Sequence, residues 1–96
     1  MTINLDTRIQ IPEDIYTQEI DDETILLDIQ SGKYFGLDPV GTRMWQLLRQ
    51  HGALRPVYEI VLSEYEVAPE RLETDLLALT ETMIEKGLAK IQTPTE

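Results

Sequence analysis

The chain has 96 residues and no cysteine, which leaves room for one domain and excludes a disulfide framework, a thiolate nucleophile and a cysteine zinc site. Its 18 acids against 8 Lys and Arg give a net charge of -10, a field that repels a phosphate backbone or an anionic bilayer unless the bases share one face. They do not: Arg8, Lys33, Arg43, Arg49, Arg55, Arg71, Lys86 and Lys90 stand singly, so neither nucleic acid nor membrane is expected as a partner.

Met1 to Gln10 lack a basic region followed by an apolar run, and no apolar stretch approaches the roughly 20 residues of a spanning helix. A soluble, unprocessed, cytoplasmic chain is expected. Three strands come next. Ile15 to Ile20 is the first, and Asp21-Asp22 supplies a turn. Thr24 to Gln30 is the second, Ser31-Gly32 punctuates it, and Lys33 to Leu37 is the third. With Ser31 and Gly32 as a two-residue loop, Ile29 faces Tyr34 and Leu27 faces Gly36. Ile25, Leu27, Ile29 and Tyr34 then form the expected core face, and Leu26, Phe35 and Leu37 share the other face with Asp28 and Lys33.

From Asp38 the apolar period changes from two to 3.6. Asp38-Pro39 opens a helix with Val40, Met44, Leu47 and Leu48 on its core stripe, closed near Gly52. Pro56 opens a second helix with Val57, Ile60, Val61 and Tyr65 on one face. Pro69 opens the third, running to Lys86, with Gly87 as a left-handed cap and Leu88 as its apolar partner. The fold class is therefore α+β, a three-stranded antiparallel sheet followed by three helices in a winged helix-turn-helix-like arrangement. One domain over residues 1–91 is expected, with 92–96 as a flexible tail.

Little here supports catalysis. His51 sits at a helix C-terminus, where a cation is favoured. Ser31 and Ser63 lack a nucleophile-elbow context, and no metal-ligand spacing or phosphate loop occurs. No enzyme activity, cofactor or metal is expected. Binding has more material. Helix three carries Leu72, Leu76, Leu79 and Met83 in one stripe and Leu77 and Ile84 about 100° away, a wider arc than a surface helix needs. The third strand is a sheet edge, yet Tyr34-Phe35-Gly36-Leu37 bears no charge and only Lys33 guards its start. Natural edges are normally defended. An undefended edge beside an apolar helix is what capture of an extended peptide by strand addition requires.

Three runs, Leu26-Leu27-Asp28-Ile29, Ser31-Gly32-Lys33-Tyr34-Phe35-Gly36-Leu37-Asp38 and Val40-Gly41-Thr42-Arg43-Met44-Trp45-Gln46-Leu47-Leu48, resemble the PqqD-like family over about residues 15–90. The resemblance implies a recognition domain for ribosomally made, modified peptides, which holds the precursor's leader as a fourth strand between the third strand and the third helix. A stand-alone chain of this length is most similar to the recognition protein of lasso-peptide pathways. Its partners there are the precursor leader, a separate leader peptidase and an asparagine-synthetase-like cyclase. Carried onto this chain, the strand edge falls on Lys33, Tyr34, Phe35, Gly36 and Leu37. The groove wall falls on Leu27, Leu72, Asp75, Leu76, Leu79 and Met83, with Asp75 placed to pair with a leader Lys or hydroxyl. Leu76→Asp is then expected to abolish binding without unfolding the chain. Ala68 stands where the family commonly has a helix-capping Asp. Gly41 and Trp45 read as close helix packing and core.

Two other classes fit less well. A winged-helix DNA regulator would have to read with helix three, whose Glu70, Glu73, Asp75, Glu81 and Glu85 outnumber Arg71 and Lys86. An acyl carrier needs an Asp-Ser-Leu at a helix start. Service to a pyrroloquinoline quinone pathway as a peptide chaperone, and a dimer formed through the free edge, stay open.

Overall fold

Side chains alternate across a strand, so the position of Leu37 decides which face of the whole sheet is buried. In the computed structural model, which describes residues 3–92, Leu37 ends strand β4 (Tyr34–Leu37) and turns inward one residue before the cap of helix α1 (Pro39–His51). Strand β3 (Glu23–Asp28) pairs with β4 and with β2 (Ile15–Ile20), both antiparallel, so the sheet order is β2-β3-β4. Phe35 lies opposite Leu26, and Leu37 opposite Thr24. Leu26, Leu37 and Thr24 are therefore buried, whereas Ile25, Ile29 and Tyr34 are exposed at 42%, 62% and 73%. The core face is the reverse of the one expected from sequence.

Two causes account for the reversal: Leu37 joins the core built with the helices, and the charge of Asp28 is spent inside a loop. Asp28, whose charge argued for an outward face, is consumed locally: its carboxylate accepts hydrogen bonds from the Gln30 N–H and the Ser31 hydroxyl at 3.1 and 2.9 Å. These contacts build a longer loop than Ser31-Gly32 alone. The Gly32 N–H donates to the Asp28 carbonyl, the Asp28 N–H donates to the Lys33 carbonyl, and Gly32 takes φ 76°. Leu27 consequently pairs with Tyr34 rather than Gly36, a register shift of two residues that leaves each residue on its own face.

The helices follow the sequence more closely. The Asp38 carboxylate accepts from the Gly41 N–H at 2.7 Å with Pro39 at the first helical position, and Gly52 closes α1 in the left-handed region at φ 66°. Helix α2 spans Leu54–Glu64, beginning two residues before Pro56, because a proline within the first turn removes no intrahelical bond. Helix α3 spans Pro69–Glu85 and ends as anticipated. The Leu88 N–H donates to the Met83 carbonyl, the Gly87 N–H to the Ile84 carbonyl, and Leu88 is buried.

Trp45, Leu48, Leu54, Val57, Leu76 and Met83 form the centre of the core beneath the sheet, and the Arg49 guanidinium lies 4.5 Å from the Trp45 ring centroid. Val40 and Tyr65, both assigned to core stripes from periodicity, are instead 38% and 39% exposed. Each sits at a helix end, where the stripe has run past the core. A second ribbon was not anticipated: β1 (Ile9–Gln10) pairs with β5 (Lys90–Ile91), and Ile3, Leu5 and Ile9 are buried. Of the expected tail, Gln92 still donates to the Arg8 carbonyl, and positions 93–96 lie outside the described residues. Among the described residues no helix is long and apolar enough to cross a membrane.

Candidate functional site

The edge of β4 supplies the first part of the site. In an antiparallel ladder, alternate residues spend their backbone groups on the partner strand. The bond from Asp28 N–H to Lys33 carbonyl makes that pair a bonded one, so Leu26–Phe35 and Thr24–Leu37 are bonded pairs as well. Tyr34 and Gly36 then direct their N–H and C=O groups away from β3, toward the open edge. Among the described residues no strand covers it, and the C-terminal β5 pairs with β1 instead. A Cβ placed on Gly36 would meet nothing within 4 Å, so the edge is also sterically free.

Helix α3 supplies the second part. Its C-terminal end lies beside the start of the edge: the Lys86 ammonium is 5.8 Å from the Phe35 ring centroid, and a Cβ on Gly87 would lie 3.6 Å from the Asp28 carboxylate. Its N-terminal half lies beyond the other end, past Leu37. There a cavity of about 700 Å³ is walled by Asp38, Val40, Gly41 and Met44 of α1, by Tyr65 to Ala68, and by Arg71, Leu72, Asp75 and Leu79 of α3. An apolar depression with a carboxylate rim formed by Asp38, Glu66 and Asp75 therefore opens beside the residue that follows the edge strand. Its only base, Arg71, donates to Asp75 at 3.4 Å.

Gly41 is needed at this junction. A Cβ there would come within 3.1 Å of the Asp38 Oδ1 that caps α1 and 3.5 Å of the Leu37 side chain. Nearby, Arg43 donates two hydrogen bonds to Glu64, at 2.9 and 2.7 Å, joining α1 to the end of α2. That pairing holds the Glu64 carboxyl below the usual carboxylate range and raises the Arg43 guanidinium, in both cases mainly through the hydrogen bonds.

The structure divides the residues expected to form the site. Tyr34 to Leu37 form the edge strand and Lys33 lies in the loop before it, outside the strand expected to begin there, with Phe35 and Leu37 facing inward. Of the α3 set, Asp75 and Leu79 line the cavity, and Leu72 reaches it from the core at 2% exposure. Leu76 and Met83 are fully buried among the core side chains and offer no surface. Leu27 pairs with Tyr34 and so lies on the outer face of the sheet, away from the α3 side. Sequence reasoning missed Val40, Tyr65, Glu66 and Val67. The signal that could have found them is the apolar pair Tyr65 and Val67 in a segment joining two helices, where burial in a helix stripe is impossible. Among the described residues no group of three or more His, Asp and Glu is placed to hold a metal ion.

No curated protein sequence matches the chain. The structure of TbiB1 in complex with the TbiA(beta) leader peptide superposes with a TM-score of 0.78 at 32% identity, covering 91% of this chain and 99% of that one. Lasso peptide synthetase B1 complexed with the leader peptide gives 0.76 at 29% identity, over 85% and 96%. The model of the family described as coenzyme PQQ synthesis protein D matches residues 23–89, the span that holds β3, the bare edge, all three helices and the Gly87-Leu88 cap. The chain belongs to the PqqD family.

Proposed function

We propose that this chain is a non-catalytic recognition protein of lasso-peptide biosynthesis, binding the leader of a ribosomally made precursor as a fourth strand on β4. The observation that carries the reading is the unpaired backbone of Tyr34 and Gly36 on the open edge, with the acid-rimmed cavity opening beside Asp38, the residue that follows this strand. Backbone bonds to these two residues supply affinity, and alternate leader side chains enter the depression past Leu37. Val40, Tyr65, Val67 and Leu79 suit apolar leader residues, and Asp38, Glu66 and Asp75 suit a lysine or hydroxyl among them. Both similar structures hold a leader peptide. The bound precursor is then delivered to a leader peptidase and an asparagine-synthetase-like cyclase, the chain taking no part in the bond-making steps. The domain of 1–91 carries the whole binding surface.

Isothermal titration against a synthetic leader from the neighbouring precursor tests this, with a Kd of about 1 μM or tighter expected. Gly36→Pro removes one outward N–H while sparing the β3 ladder. It should weaken binding at least tenfold with the circular dichroism spectrum unchanged. Unaltered affinity in Gly36→Pro, or no heat with any candidate leader, would overturn the proposal. A leader of a pyrroloquinoline quinone precursor, titrated in parallel, separates the two pathways by the tighter binder.

A further inference from the structure

Of the eight Lys and Arg side chains, Arg43, Arg55 and Arg71 are spent on ion pairs with Glu64, Asp6 and Asp75, and Arg49 lies over the Trp45 ring. Arg8, Lys33, Lys86 and Lys90 have no ion-pair partner among the described residues. Arg8 stands next to β1 and Lys90 on β5, so both belong to the ribbon. Lys33 and Lys86 stand instead at the start of the open edge. Lys33 immediately precedes Tyr34, and the Lys86 ammonium is 5.8 Å from the ring of Phe35 in the same strand. Asp28, the acid beside them, pairs with neither: its two carboxylate oxygens are engaged by the Gln30 N–H and the Ser31 hydroxyl.

The other end of the edge carries the opposite sign. Asp38, Glu66 and Asp75 rim the cavity beside the end of β4, and the one base of that rim is paired with Asp75. From Lys33 to Asp38 is five residues, about 17 Å at the rise of an extended chain. The seam is therefore of peptide length and has a direction. On a chain of charge -10 its positive end is an exception, since an acidic ligand side chain is repelled by most of the remaining surface. An antiparallel fourth strand continues the pairing of β2, β3 and β4 and runs from Leu37 toward Tyr34. Its earlier residues then meet the carboxylates, and its later ones the two lysines.

We propose that Lys33 and Lys86 form an anion subsite of the groove, which selects an extended peptide with a lysine or arginine toward its N-terminal end and a carboxylate about five residues later. This rests on the strand-addition reading and adds to it the charge order of the ligand. Backbone bonds to Tyr34 and Gly36 are indifferent to sequence, and a slip of two residues keeps every side chain on its own face. Two opposed charges fix both register and direction, because a slipped or reversed peptide sets like charges together. Phe35 contributes by holding the Lys86 ammonium at the edge through its ring.

The test is titration calorimetry of the full chain against the synthetic leader of the neighbouring precursor, and against leaders in which each acidic residue in turn is changed to Lys. Lys33→Glu/Lys86→Glu should bind the parent leader at least tenfold more weakly than wild type does, at an unchanged melting temperature. One acid-to-lysine leader should recover at least tenfold on that variant, and the same leader should bind wild type more weakly than the parent does. Such a rescue separates a charge contact from damage to the fold. Arg8→Glu/Lys90→Glu, an equal change of net charge on the ribbon, should bind the parent leader within twofold of wild type. The proposal is overturned if the Lys33/Lys86 variant binds the parent leader as wild type does, if no acid-to-lysine leader recovers on it, or if the ribbon variant loses as much affinity. Strand addition fails separately, through a Gly36→Pro chain that binds as tightly as wild type. A weakened Gly36→Pro beside an unaffected lysine variant sinks the charge reading alone, and a wild type that binds no leader sinks both.

Discussion

Leu76 and Leu79 are separated by less than one turn of α3, and they do different work. Leu76 is wholly buried in the core, so Leu76→Ala should cost about 2–5 kcal/mol in urea unfolding, and Leu76→Asp should leave no folded protein to titrate. The sequence expectation that Leu76→Asp reports on binding alone is therefore corrected. Leu79 borders the cavity half-buried, and Leu79→Asp is the substitution that should weaken leader binding at least tenfold in a chain that still unfolds cooperatively. Glu64 is the other residue with a sharp expectation. Its carboxyl is held below the ordinary range by Arg43, so the stabilisation is fully present above the unfolded carboxylate pKa and lost as pH falls through the lower folded value. The side-chain NMR titration of Glu64 should have its midpoint below the usual range, and Arg43→Met should return it to that range.

At the level of elements, α3 begins without a side-chain cap. Ala68 occupies the capping position and accepts nothing at its side chain, although Pro69 follows as a suitable first residue. Ala68→Asp should stabilise the chain by about 0.5–2 kcal/mol in denaturant unfolding, since a carboxylate there accepts an otherwise orphaned N–H. Helix boundaries of this kind were legible in the sequence because each rests on a local rule: Asp38-Pro39, Gly52, Pro69 and Gly87-Leu88 all act within a few residues. The bare strand was legible for the same reason, through its missing charge. The buried face of the sheet was not. It depends on Leu37 joining a core built by later helices, and on Asp28 spending its charge inside a loop. Both are tertiary facts that alternation alone leaves open. The cavity wall from Tyr65 to Val67 was hidden likewise, because a stripe reads as core until its helix outruns the core.

For the whole molecule, a leader that binds only the folded chain must raise its stability. At a leader concentration one hundred times Kd the gain is about 2.7 kcal/mol, which for a domain of this size moves the melting midpoint by roughly 10 °C or more. Thermal unfolding followed by circular dichroism with and without leader should show that shift, and Gly36→Pro should lose most of it. The architecture suits such a role because the sheet, α1 and α3 meet at the site, so a ligand spanning edge and cavity bears on several elements at once. Net charge adds a second global effect. With 18 acids on 96 residues, the chain repels its own copies while leaving two apolar surfaces uncovered.

The β1–β5 ribbon joins Ile9 to Ile91, positions 82 apart, whereas the two hairpins of the main sheet join neighbours in sequence. That difference imposes a schedule. At a synthesis rate of roughly 5–20 residues per second, β1 waits about 4–16 s for the strand that pairs with it. The β4 edge needs no such wait, since β3 precedes it by a few residues. Ile3, Leu5 and Ile9 therefore lack their final cover until the C-terminal strand has been made. The ribbon can pair only after Lys90 and Ile91 have been made.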